Sequence, residues 1–145
     1  MTVTNSWDND AKTIIRMEVS GRWTWDEMYA ASQIGYAMLE SVSHTVYPII
    51  DFSASLGMPP NAITHARNMM GKQHPRTGMS VFVGANTLFV NLWRIFIRLY
   101  ALLSREQDFT FANSLDEARI LITAAMGRKA EAGIPSPASP SALPK

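Results

Sequence analysis

Met79-Ser80-Val81-Phe82-Val83-Gly84-Ala85-Asn86-Thr87 is the stretch whose reading decides the fold. An apolar run of strand length stops at a glycine, and an asparagine then stands where a helix wants its N-cap. Strand, turn and helix start follow one another with no spare residues, the signature of a βα unit. From Asn86 the apolar pattern predicts a long helix to about Leu103, and Phe109 to Ala112 is the next strand. Towards the N-terminus, a helix is predicted over roughly 61–70 and closed by Gly71, after a loop from Ser53 to Pro60. Before that loop lies a short strand at 46–52, with Pro48 expected at its start or against an unpaired edge because proline has no N–H for a ladder.

The ends of the chain extend the same pattern. Residues 2–7 and 12–20 read as a β-hairpin turning at Asp8-Asn9-Asp10, with Ile15, Met17 and Val19 alternating with Arg16, Glu18 and Ser20. Gly21 ends the second strand. Thr24 and Glu27 form a capping box for a helix to about Val42, with Met28, Ala31, Gly35, Met38 and Val42 along one face. Ser114 and Glu117 form a second box, opening a helix that ends near Gly127. The order is ββαβαβαβα. Helices between strands predict a single α/β domain with a mixed, mostly parallel sheet of four to five strands and about four helices, joined by right-handed crossovers, the first strand antiparallel. The domain spans 1–127; the Pro/Ser/Ala-rich residues 128–145, with Pro135, Pro137, Pro140 and Pro144, read as a flexible tail.

Composition bounds the function. A 47% hydrophobic content in 145 residues supports one packed core and excludes wholesale disorder. With no cysteine there is no disulfide, zinc–thiolate site, iron–sulfur cluster or cysteine nucleophile. A net charge of +1 argues against a nucleic-acid partner. Its distribution is uneven: residues 1–59 carry three basic and seven acidic side chains, residues 60–107 six and one, residues 108–145 four of each. The basic residues are spaced out, which fits a bipolar surface better than a binding patch for anions or phospholipids. Met1 to Asp10 has neither a basic n-region nor an apolar h-region, so the expected location is cytoplasmic.

Candidate chemistry is sparse. His44, His65 and His74 lack metal-ligand spacing and are expected to be solvated or locally bonded. Asp51 ends a buried strand, where α/β sheets place ligand-binding groups, but no second carboxylate or base accompanies it; a bond to the following loop is the expected role. No G-x-S-x-G elbow occurs. Gly84, Asn86 and Thr87 offer free N–H groups at a strand-to-helix turn, a minority option for anion binding. No catalytic, metal or cofactor site is expected, and the chain reads as a non-enzyme.

The helix over 88–103 is the most informative element. Thirteen of its sixteen residues are apolar, the exceptions being Asn91, Arg94 and Arg98. At about 24 Å it is short of the ~20 apolar residues of a membrane span, so no transmembrane segment is expected. One seam is aliphatic (Leu88, Leu92, Ile95, Leu99, Leu102) and the other aromatic-rich (Phe89, Trp93, Phe96, Tyr100, Leu103). An arc this wide exceeds what one sheet face covers. Its own neighbouring helices, a second subunit, or a lipid or apolar ligand are the three candidates for the remainder. The homodimer reading uses Phe89, Trp93, Phe96, Ile97 and Tyr100 as the interface, since large aromatics are enriched at interface centres.

Four short pieces resemble one known group. They are Gly21-Arg22-Trp23-Thr24, Ile49-Ile50-Asp51-Phe52-Ser53, Val81-Phe82-Val83-Gly84-Ala85 and Phe111-Ala112-Asn113-Ser114-Leu115-Asp116-Glu117-Ala118. In order and spacing the chain resembles the small bacterial SpoIIAA-like proteins of the STAS type, related to anti-sigma-factor antagonists. The resemblance implies a sheet of four or five strands with helices packed on it, and regulation or small-molecule and lipid binding more than catalysis. The serine that antagonists phosphorylate has no counterpart: Pro59, Pro60, Asn61 and Ala62 occupy the matching positions. The expectation is a non-enzymatic regulatory or protein-interaction module. The alternative is a binding protein for a lipid or other small apolar ligand, held between the sheet and the long helix.

Overall fold

Asn9 makes the first turn. Its side-chain oxygen accepts the N–H groups of Thr13 and Ile14 at 3.0 and 3.3 Å, and its Nδ2 donates to Thr13 Oγ1 at 2.7 Å. This closes an antiparallel hairpin between β1 (Val3–Trp7) and β2 (Ile14–Gly21). The computed structural model describes residues 2–84 and 109–133. Helix α1 (Trp25–Glu40) follows, then β3 (Tyr47–Ser55), α2 (Ala62–Met70), β4 (Ser80–Val83), β5 (Phe109–Ala112) and α3 (Leu115–Gly133). The five strands lie in the sheet in chain order, and β2 through β5 are parallel.

The mixed, mostly parallel α/β sheet is therefore as the sequence predicts; the helix count and element order are not. Among the described residues the order is ββαβαββα with three helices, because the helix predicted over 86–103 lies outside them. The last helix also needs correction. It runs to Gly133, past its expected end near Gly127, since Arg128, Lys129, Ala130, Glu131 and Ala132 favour helix strongly enough to carry it on. Lys129 Nζ donates to Thr45 Oγ1 at 2.5 Å and anchors this extension.

Local chemistry accounts for the other boundaries. The Thr24 side chain accepts the Glu27 N–H at 3.2 Å and the Glu27 carboxylate accepts the Thr24 N–H at 2.9 Å, a complete capping box for α1. At α3 the box is displaced by one residue: Ser114 Oγ accepts the Glu117 N–H at 3.1 Å, while Glu117 accepts from Asn113 at 2.6 Å. Pro48 is the second residue of β3 and sits opposite Ile15, while pairing with β4 begins one residue later, at Ile49. Its missing N–H thus falls where the ladder is open.

The central strands are apolar on both faces, as parallel strands covered on both sides are. Ile14, Tyr47, Ile49, Val81, Val83 and Ala112 meet Ala118, Ile122 and Ala125 of α3. On the opposite face Val19, Phe52 and Phe82 pack with Trp23, Met28 and Ala31. Leu39, near the end of α1, joins Ile15 and Val46. Helix α1 and helix α3 therefore cover opposite faces of the sheet. No helix among the described residues is long and apolar enough to cross a membrane.

Candidate functional site

On the face carrying α1, the described side chains do not close over the sheet. They leave a cavity of about 400 Å³, within the ~300–1,000 Å³ usual for small-molecule sites. Its floor is Met17, Ile50, Phe52 and Phe82 from the strands. Met28, Tyr29, Tyr36 and Leu39 form one wall, and Ala66 and Met69 of α2 the other. The chain just beyond α2, Lys72-Gln73-His74, runs along the rim.

Helix α2 has only nine residues against the sixteen of α1. Their lateral separation is set by aromatic side chains and the loop between β3 and α2. Trp23 Nε1 donates to Ser55 Oγ at 2.9 Å and to the Gly57 carbonyl at 3.1 Å; Trp25 Nε1 donates to the Pro60 carbonyl at 2.8 Å. The Trp25 indole stacks on the His65 ring at 4.9 Å, and Tyr29 Oη shares a hydrogen bond of 2.8 Å with His65 Nδ1. Rings and loop together hold α2 beside α1 as a spacer. At the far end Asn5 Nδ2 donates to the Ala31 carbonyl at 2.6 Å and pins α1 to β1.

The polar groups of the cavity gather where α1 faces the 72–77 segment. Buried His74 accepts the Arg76 backbone N–H at Nδ1 (3.0 Å), which places the proton of the neutral ring on Nε2, facing Glu40 Oε2 at 3.3 Å. Arg76 approaches the same Glu40 oxygen at 3.4 Å, and the Tyr36 ring lies 4.7 Å from the imidazole. Both ring nitrogens are engaged, so His74 has no free lone pair to act as a base. Gln73 Oε1 is buried with no hydrogen-bond partner. Lys72 Nζ sits over the Tyr29 ring, 5.9 Å from its centroid, and makes no ion pair among the described residues. The arrangement can enclose an apolar body and meet one polar end.

A second charged cluster lies away from the cavity. The Asp8 carboxylate, 2% exposed, is bonded to Arg16 and to Arg119, the latter through Nε at 2.8 Å and a terminal nitrogen at 2.9 Å. The Arg119 hydrogen bonds hold the Asp8 carboxyl below the usual carboxylate range, against the opposing effect of burial. The cluster ties the first hairpin to α3.

The residues singled out in the sequence fare unevenly. Asp51 accepts the Ser53 N–H at 2.9 Å, the local bond expected of it. His44 bonds the Lys12 carbonyl at 2.8 Å and His65 the Tyr29 hydroxyl, partners 32 and 36 residues away and so not local; His74 takes the Arg76 N–H two residues on and, buried, also faces Glu40. Of the anion-site trio only Gly84 is described; Asn86 and Thr87 lie outside the described residues, as do Phe89, Trp93, Phe96, Ile97 and Tyr100 of the expected interface. The sequence reading missed the cavity lining. Two signals point to it. Four of the nine methionines, Met17, Met28, Met58 and Met69, line the cavity, and methionine suits adaptable apolar sites. Residues 28–39 carry no charge at all, an unusual stretch for a helix with a solvated face. Set against known proteins, the chain matches no protein-family model and no curated relative, so the STAS-type resemblance rests on its short motifs alone.

Proposed function

We propose that this protein is a binding protein for a small apolar ligand, held between the sheet and the α1–α2 layer. The observation that carries this reading is the 400 Å³ cavity with its methionine-rich, largely uncharged lining. Apolar side chains left facing a cavity forgo packing contacts, and an apolar guest restores them without opening the fold. The test is titration with a neutral apolar dye such as N-phenyl-1-naphthylamine, with Ala66→Phe as the control. Ala66 is buried in the α2 wall, and the larger ring fills space that is empty in the wild type. Saturable binding of one dye per chain, lost in the folded variant, supports the function. A wild type that leaves the dye's emission unchanged overturns it.

A non-enzymatic interaction module of the STAS type is the second reading. It is favoured by Leu56, 71% exposed on the loop that leaves β3. Native mass spectrometry of protein purified from cells separates the two: a retained small-molecule mass supports the first, an empty chain carrying a protein partner the second. Homodimerisation through Phe89, Trp93, Phe96, Ile97 and Tyr100 is part of the same proposal. Sedimentation of wild type and of Trp93→Glu tests it, and a wild type that stays monomeric at high micromolar concentration sinks it.

A further inference from the structure

From the rim of the cavity we infer that its ligand is an alkyl carboxylate, with the chain in the cavity and the carboxylate at Lys72, Gln73 and Tyr29. This rests on the apolar-ligand reading and adds the chemistry of the head. Charge comes first. Residues 60–84, which supply α2 and the rim beyond it, carry Arg67, Lys72 and Arg76 and no acidic side chain, while 28–39 of α1 carry no charge. The carboxylate at this rim among the described residues, Glu40, is engaged by His74 and Arg76. Lys72 is therefore a cation at the cavity edge without a carboxylate partner among the described residues, and the potential at the mouth favours an anion.

Hydrogen bonding narrows the anion. The buried end of the Gln73 amide has no partner. An amide turned end for end fits the same space, which puts N–H donors where the unpartnered oxygen stands. With the Gln73 side chain turned toward the mouth, a carboxylate oxygen would satisfy that group, and its charge would be met by the Lys72 ammonium. The Tyr29 ring, which also lines the cavity, lies beneath the same ammonium and holds it at the mouth. Size fixes the tail. At about 30 Å³ for a water-sized group, the cavity holds roughly a dozen carbon and oxygen atoms. Decanoate is of that size.

Competition against the bound neutral dye, at pH 8 and low salt, tests the head separately from the cavity. Decanoate is expected to displace the dye at about tenfold lower concentration than decan-1-ol, the size of effect a charge-assisted bond at a partly solvated rim gives. Lys72→Met is expected to remove most of that advantage and leave decan-1-ol unchanged; Lys72→Arg, keeping the charge, retains it. Lys72 is exposed, so these variants keep the fold. Equal competition by acid and alcohol in the wild type, or an equal loss of both in Lys72→Met, overturns the carboxylate assignment while the apolar cavity stands. Failure of the dye itself to bind overturns the cavity reading and the assignment with it.

Discussion

Gly84 shows how much one residue can fix. Its φ is +73°, and a Cβ there would lie 2.2 Å from Ser53 Oγ and 2.7 Å from Ser53 Cα. The first conflict is with a side chain and the second with backbone, so Gly84→Ala is expected to cost about 3 kcal/mol or more. Ser53→Gly in the same chain should restore only part of it, because the backbone conflict and the positive φ both stay; urea unfolding of the single and double variants measures both. Asp8 acts through charge instead. Its carboxyl is harder to protonate in the folded chain than in the unfolded one. As pH falls the unfolded chain takes up the proton first, so this stabilisation is present above about pH 4 and is lost as pH drops through the depressed folded value. Asp8→Asn is expected to lose about 2–4 kcal/mol at pH 7 and to show a flatter decline in stability between about pH 5 and pH 2. Denaturant melts at pH 7 and pH 3 check the sign. Of these residues, the sequence marks Gly84 as a turn glycine, but no local pattern reveals that Ser53 crowds it or that Asp8 meets Arg119.

Among elements, α3 depends most on a single buried residue. Ile122 is fully buried, flanked by Ala118 and Ala125 along the stripe that meets Val81 and Val83. Truncating it to alanine leaves three small residues against a flat sheet, and the loss is expected to be about 3 kcal/mol, read as a drop in the unfolding midpoint. The elements were legible wherever a local signal coincides with a boundary. Thr24 with Glu27, Gly21 after the second strand, and the Val81-Phe82-Val83 run all mark ends or cores that the structure keeps. Legibility fails where tertiary contacts decide. Strand β3 runs on to Ser55, past its expected end at Phe52, because Ala54 and Ser55 pair with Ser20 and Gly21 of β2. The cavity was illegible for the same reason: Met17, Met28 and Met69 come from three elements, and only their packing shows what they leave unfilled.

At the scale of the whole molecule, each strand in the sheet lies beside its neighbour in sequence. Doubly wound sheets place ligands at the crevice where strand order reverses; a sheet in strict chain order has no such reversal, and here the open space lies between helices and sheet instead. The same order governs time. Strands that pair with their sequence neighbours close short loops, so the sheet can form without waiting for distant parts of the chain. The Asp8–Arg119 ion pair is the opposite case, joining residues 111 apart. Such a bond is expected to form late, after the barrier to folding has been crossed. Asp8→Asn should then leave the refolding rate nearly unchanged and speed unfolding by about thirtyfold or more, the kinetic equivalent of its expected loss in stability. The two arms of a chevron plot read this directly: equal folding limbs with a displaced unfolding limb support it, and a slowed folding limb refutes it. On that outcome the ion pair is a clasp on a finished molecule, governing how long the native chain persists and not how quickly it is reached.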